Sequence, residues 1–148
     1  MLNSSKDEIP SRAKRKVKYN DIVYSTVRPN LKHYGIIKDN IKNLIVSTAF
    51  TVIRSCHKFI SNELLYLILI DDKNTEYLQG IAEMSKATYP SITPEDIKTL
   101  KILIPSKSTY LNNVNKLLKH CFNLIYFKHT ENDKLTELQS LLLVKMWQ

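Results

Sequence analysis

Residues 108–145 contain neither glycine nor proline, and this stretch constrains the chain more than any other feature. Leu111, Val114, Leu118, Cys121 and Ile125 recur within it at alternating steps of three and four, the spacing of a coiled-coil seam. The stripe weakens over 128–132 and resumes with Leu135, Leu138 and Leu142. The spacing predicts one helix, roughly 55 Å long at 1.5 Å per residue. A single domain of this size cannot cover such a rod. Part of the apolar stripe is therefore expected to meet the domain, and part a partner helix. A hairpin folded back at 129–133 is the alternative.

What precedes the helix has the material for one domain. The chain has 148 residues, 43% of them hydrophobic, which is enough for a single core and argues against disorder of the whole. Its apolar run at 64–70 is far shorter than the roughly 20 residues of a membrane span. The polar, acidic first eight residues do not resemble a signal peptide. These features predict a cytoplasmic protein with no membrane partner. Cys56 and Cys121 suit reduced thiols packed as small hydrophobes. Cys56 adjoins His57, but His33, His120 and His129 are scattered, so no metal site is expected.

Catalysis is excluded by what the motifs require. Only Gly35 and Gly80 are present, too few for a phosphate-cradling loop or the glycine-rich cofactor loop of a methyltransferase. The HExxH zinc motif and the GxSxG nucleophile elbow are absent. Two nuclease-like strings, Asp71-Asp72-Lys73 and Asp96-Ile97-Lys98, fall where helix-end charges are expected. A non-enzymatic protein without cofactors follows.

Charge supplies the first functional direction. The net charge is +8, which draws a protein toward phosphate-rich partners. Between Lys6 and Lys38 there are nine Lys and Arg against three acidic residues. The run Arg12-Ala13-Lys14-Arg15-Lys16 passes straight into an alternating apolar segment, with Tyr19, Tyr24 and Tyr34 interleaved. A solvated arm is one reading of this pattern, and a nucleic-acid contact is the other.

Residues 16–54 read as β structure. The segment 22–27 is β-branched and aromatic and is closed by Pro29, and 44–53 forms a second such run. A helix is expected from an N-cap at Ser61, and a second over 75–84 after a turn at 71–74. Thr93, Pro94 and Asp96 spell a helix start with a reciprocal cap, and a short strand is expected over 100–104, ended by Pro105. The fold class is α+β: a small β-sheet with short helices, followed by a long C-terminal helix.

Four blocks, in order, resemble the specificity subunit of type I restriction-modification systems. They are Asn20-Asp21-Ile22-Val23-Tyr24-Ser25-Thr26-Val27-Arg28-Pro29-Asn30-Leu31, then Ala87-Thr88-Tyr89-Pro90-Ser91-Ile92-Thr93-Pro94-Glu95-Asp96-Ile97, then Leu100-Lys101-Ile102-Leu103-Ile104-Pro105, and finally Glu131-Asn132-Asp133-Lys134-Leu135-Thr136-Glu137-Leu138-Gln139-Ser140-Leu141-Leu142-Leu143. The resemblance implies a target-recognition domain over 1–105 and a spacer helix over 106–148. It implies double-stranded DNA and methyltransferase subunits as partners and, through them, the restriction subunit. Family members usually carry two such units with antiparallel helices. This chain has one, lacks the usual front of the recognition domain, and departs from the family linker at Ser106-Lys107-Ser108-Thr109-Tyr110. A half subunit of this kind is expected to form a homodimer, or to pair with another specificity half, through its helix. The alternative is a dimerising or regulatory remnant without DNA readout.

The candidate DNA contacts follow from this resemblance and the charge pattern. Arg28 leads, for phosphate or base contact, with pairing to an internal carboxylate as its structural alternative. Arg12, Lys14, Arg15, Lys16 and Lys18 are candidates for phosphate positioning. Lys86, Thr88 and Tyr89 are candidates for touching the backbone or a groove, with packing at the domain–helix junction as the alternative for Thr88 and Tyr89.

Overall fold

A computed structural model describes residues 11–85, 88–105 and 108–147. The element order is β1 (Ala13–Lys16), β2 (Ile22–Ser25), a 3-10 turn (Pro29–Leu31), β3 (Tyr34–Ile36), β4 (Ile45–Ser47), β5 (Phe50–Ile53), α1 (Asn62–Leu69), α2 (Asp72–Glu83), α3 (Pro94–Lys98) and α4 (Ser108–Met146). This is the α+β architecture anticipated from the sequence.

The strands form two small antiparallel sheets. β2 lies between β3 and β5, with Ile22 opposite both Ile36 and Ile53. Ile22 and Tyr24 are fully buried, and with Leu69, Leu78, Ala82, Ile92 and Ile97 they make the core between the sheet and α1, α2 and α3. Tyr24 stacks on Tyr34 at 5.6 Å, and Tyr34 meets the edge of Tyr66 on α1.

The second sheet is the ribbon β1–β4. The expected single strand over 44–53 is therefore two. The chain turns at Thr48-Ala49, where the Ala49 N–H donates to Ser47 Oγ at 3.3 Å, and passes from one sheet to the other. A serine hydroxyl makes this turn where glycine or proline would have announced it. The basic segment 13–16 is a strand and not a solvated arm, because β4 supplies it with a pairing partner.

The helix starts are local and follow the expected chemistry. Ser61 Oγ accepts the Leu64 N–H and caps α1. Thr93 and Asp96 form a full capping box with Pro94 in the first turn. α2 begins earlier than anticipated, at Asp72, because Asp71 caps it by accepting the Lys73 N–H. The turn into α2 shrinks accordingly, and the Asn74 Nδ2 donates back to Ile68 O at the end of α1. Both nuclease-like strings thus have capping roles at helix starts.

No strand forms over 100–104. The Leu100 N–H closes α3 by donating to Ile97 O, and the chain then runs on with Leu103 98% exposed. No described strand lies alongside it, and β propensity without an edge to pair with does not make a strand.

α4 is one unbroken helix of 39 residues, not a hairpin. At 129–133, where a fold-back was conceivable, His129 Nδ1 lies 3.1 Å from Asp133 Oδ2 one turn on. The first half of α4 packs along α1. Leu111 is buried, Asn115 and Leu118 are half-buried, and Phe122 meets Tyr66 edge-on at 5.7 Å. Beyond residue 130 every described side chain is exposed.

The anticipated single seam is in fact two faces. Leu111 and Leu118 turn toward the domain. Val114, Ile125, Leu135, Leu138 and Leu142 are exposed, and Cys121 is half-buried at the border. A straight helix of 3.6 residues per turn drifts about 20° per heptad against a 3.5-residue repeat, so steps of three and four do not stay on one face.

Candidate nucleic-acid interface

The exposed cations of the N-terminal half are positioned by backbone pairing. In β1, Lys14 and Lys16 are exposed, while Ala13 and Arg15 are half-buried on the other side. The pairing register with β4 shifts between Ala13 and Arg15. Arg12, just before the strand, is held by the Thr48 N–H donating to its carbonyl at 2.8 Å. Lys18 is exposed beyond the strand, and its backbone N–H donates to Asp21 Oδ2 at 2.7 Å. Among the described residues none of Arg12, Lys14, Arg15, Lys16 and Lys18 makes an ion pair.

The same hydrogen-bond path leads to Arg28. The Thr26 N–H and hydroxyl both donate to Ala49 O at 2.8 Å, beside the turn that holds Arg12. On its other side Thr26 O accepts from the Ile92 N–H at 2.8 Å, and the Arg28 N–H donates to Pro90 O at 2.9 Å. Val27 and Ser91 form an isolated antiparallel bridge between these two bonds. The loop that follows α2 is thus stitched onto the extension of β2.

Arg28 itself has φ 49°, in the left-handed region, immediately before the buried Pro29. That turn points an exposed side chain at the stitched loop, and its guanidinium carbon lies 5.1 Å from the centre of the Tyr89 ring. Stacking occupies the flat face of a guanidinium and leaves the N–H edge free for an acceptor. Tyr89 and Thr88 are exposed and do not pack the domain–helix junction. Lys86 lies outside the described residues.

Among the described residues no carboxylate pairs with Arg28. Two of the described carboxylates are buried: Arg54 holds Asp21 with both oxygens engaged, at 2.6 and 2.7 Å, and Lys38 holds Glu63. Burial pushes the Asp21 carboxyl upward, but the Arg54 guanidinium and the Lys18 N–H outweigh it and hold it below its ordinary value. Arg54 and Lys38 are structural residues that the sequence pattern did not single out. Lys38 donates to Glu63 Oε1 at 2.8 Å and to Asn20 Oδ1 at 2.7 Å. Lys32 is paired with Asp72 at 2.6 Å. Two of the cations counted in the basic segment are therefore engaged within the fold.

Among the described residues no three His, Cys, Asp or Glu side chains are gathered as metal ligands. No helix among them is long and apolar enough to cross a membrane.

Comparisons place this arrangement among known proteins. No family model matches the chain. It is 37% identical over 106 residues to the type I restriction enzyme HindI specificity subunit of Haemophilus influenzae, covering 72% of this chain and 23% of that protein. Its fold matches a chain solved in work on complex assembly and conformational transition of the type I R-M system, with TM-score 0.61 and 29% identity over 88% of this chain and 34% of that one. The HsdS subunit from Thermoanaerobacter tengcongensis matches with TM-score 0.59 and 26% identity, over 84% of this chain and 32% of that one. The chain thus spans a quarter to a third of the length of these relatives. In sequence and in fold the chain matches one portion of the specificity subunits of type I restriction-modification systems.

Proposed function

We propose that the chain is a DNA-recognition component of a type I restriction-modification assembly, without catalytic chemistry of its own. The observation that carries this reading is the common stitching of the basic ribbon, Arg28 and the 88–92 loop. Cations free of carboxylate partners among the described residues, held on paired backbone, can approach a polyanion without first breaking internal pairs. In this reading Arg12, Lys14, Arg15, Lys16 and Lys18 position the phosphates. Arg28, backed by Tyr89, contacts a base edge or phosphate with its N–H edge, and Thr88 and Lys86 are further candidates for contact with the backbone or a groove. The recognition unit corresponds to 1–105 and the spacer helix to 106–148. Methyltransferase subunits dock on the assembly and bring in the restriction subunit, all within the cytoplasm.

The test is sedimentation with duplex DNA, and with the cognate methyltransferase subunit, at low and high salt. Salt-sensitive DNA binding together with co-sedimentation of the methyltransferase is the expected result. A chain that ignores both partners has lost the recognition role. The exposed leucines of α4 favour one other reading, a helix-mediated dimerising remnant without DNA readout. That reading predicts self-association alone.

A further inference from the structure

Arg28 stands at the N-cap of the Pro29–Leu31 turn, where a serine or aspartate side chain would ordinarily accept from the backbone. A guanidinium only donates, and no side-chain bond from Arg28 caps the turn. Pro29 has no N–H, so the first donor left open within the turn is that of Asn30. Another element meets it: the Asn30 N–H donates to Gln79 Oε1 of α2 at 3.2 Å. Gln79 Nε2 in turn donates to Glu83 Oε1, one helical turn further on, at 2.9 Å.

We infer that Gln79 and Glu83 are positioning residues for Arg28, clamping the turn that sets its guanidinium over the Tyr89 ring. This deepens the DNA-recognition reading proposed above and rests on it for its purpose. The two side chains have different parts. Gln79 supplies the acceptor that an arginine at the cap cannot. Glu83 decides which end of the amide faces the turn, because a carboxylate only accepts and draws Nε2 to itself. Turned the other way, the amide would set a donor against the Asn30 N–H.

The clamp is built on a rigid element. Leu78 and Ala82, each one residue before a clamp residue, are fully buried in the core, and Gln79 is half-buried beside them. A second tie holds the far end of the turn, where Lys32 pairs with Asp72 at the start of α2. The chain beyond α2 carries Tyr89, and Pro90 O accepts the Arg28 N–H, so both halves of the stack refer to one frame. A left-handed φ at a residue other than glycine persists when its surroundings over-determine it in this way. Glu83 is acidic and exposed, two hydrogen bonds from the Arg28 turn. That sign suits holding Arg28 and not touching a polyanion.

Reversing the polarity of the clamp in the full chain tests it. Gln79→Glu keeps an acceptor for Asn30 but sets two carboxylates one turn apart. Adding Glu83→Gln rebuilds the network with donor and acceptor exchanged. Without DNA, the Arg28 side-chain Nε–H resonance should move in Gln79→Glu toward its position in Tyr89→Leu, and return in the double variant. Exchange of the Asn30 amide should rise and recover in parallel. In selection from random duplexes, Gln79→Glu should cut discrimination at the one position Arg28 reads by about three- to tenfold, part of what a bidentate arginine contributes. The double variant should restore it. Gln79→Met keeps the bulk without the acceptor, so it should match Gln79→Glu and gain nothing from Glu83→Gln.

An Arg28 resonance and a base preference unmoved by Gln79→Glu would overturn the inference. So would weakening that is uniform across sequences, follows the urea midpoint and is not rescued, which is what a purely structural role gives. If the resonance moves and recovers while the parent chain binds no duplex, the recognition role falls and the clamp stands.

Discussion

Lys38 Nζ lies 2.8 Å from Glu63 Oε1 in the interior, with the two side chains only 7% and 3% exposed. The pair joins the end of the three-stranded sheet to the first turn of α1, and Asn20 Oδ1 accepts a further bond from the same ammonium. It also reaches the long helix, since Lys38 Nζ sits 5.7 Å from the centre of the Phe122 ring. One buried charge pair therefore touches the sheet, α1 and α4.

Removing one member strands the other. Lys38→Met is expected to lower unfolding free energy by about 3–5 kcal/mol, because Glu63 is left buried without a counter-charge. The double change Lys38→Met with Glu63→Leu should recover most of that loss, since an apolar pair has no desolvation cost to offset. Urea midpoints of the three chains decide it. Equal losses in the single and the double variant would show that packing, not charge, holds this junction.

Acid should unfold the protein through the same network. Burial raises the Glu63 carboxyl, but its bonds from Lys38 outweigh that and hold it below its ordinary value, as Arg54 and the Lys18 N–H do for Asp21. A carboxyl lowered in the folded state contributes stability that is complete above its unfolded value of about 4. That contribution is lost as pH falls through the lower folded value. Urea midpoints should hold steady toward neutral pH and fall steeply below about pH 4. Asp21→Asn should be less stable at pH 7 and show a shallower acid dependence.

These interior pairs were not legible in the sequence, and the reason is distance along the chain. Asp21 meets Arg54, and Lys38 meets Glu63, across separations that no local pattern encodes. The Ser61 cap, the Thr93–Asp96 box and the long helix were legible because each is settled within a few residues. The strand pattern failed where pairing decides. The run 44–53 is one apolar stretch in sequence, yet β1 claims its first part and β2 its last. Arg28 could be singled out from its place before Pro29, but its Tyr89 backing could not.

The proposed interface separates affinity from readout. Lys14→Ala with Lys16→Ala should weaken duplex binding evenly across sequences and lower the salt slope by about one per lysine. Arg28→Ala should instead relax preference at one position, with a loss there of about 1–3 kcal/mol. Tyr89→Ala is expected to resemble Arg28→Ala in weaker form, and Tyr89→Phe to leave binding intact because the ring face remains. Selection from random duplexes, read by sequencing, distinguishes the two effects. Uniform weakening in all of these variants would reduce Arg28 to one more phosphate contact.

The capping box, which directly follows the 88–92 loop, offers a test of local helix-start chemistry. Thr93→Ala removes the acceptor for the Asp96 N–H and the hydroxyl that donates to its carboxylate. A loss of about 1 kcal/mol is expected, seen as a lower thermal midpoint.

Asn115 tests how the helix is held. Its Nδ2 donates to Phe59 O at 3.0 Å, and its Oδ1 accepts the Ser61 N–H at 3.3 Å, so one amide spans the backbone leading into α1. Asn115→Ala leaves both backbone groups without that partner, at about 1–3 kcal/mol if water cannot reach them. Asn115→Asp keeps the acceptor for Ser61 but sets a second carboxylate oxygen against the Phe59 carbonyl, and should loosen the docking further. Amide exchange is expected to rise over 59–66 and 111–126 in both variants while β2 and β5 stay protected, because the sheet core does not depend on this contact. Unchanged exchange along α4 would mean that Leu111 and the Tyr66–Phe122 contact hold the helix without the amide.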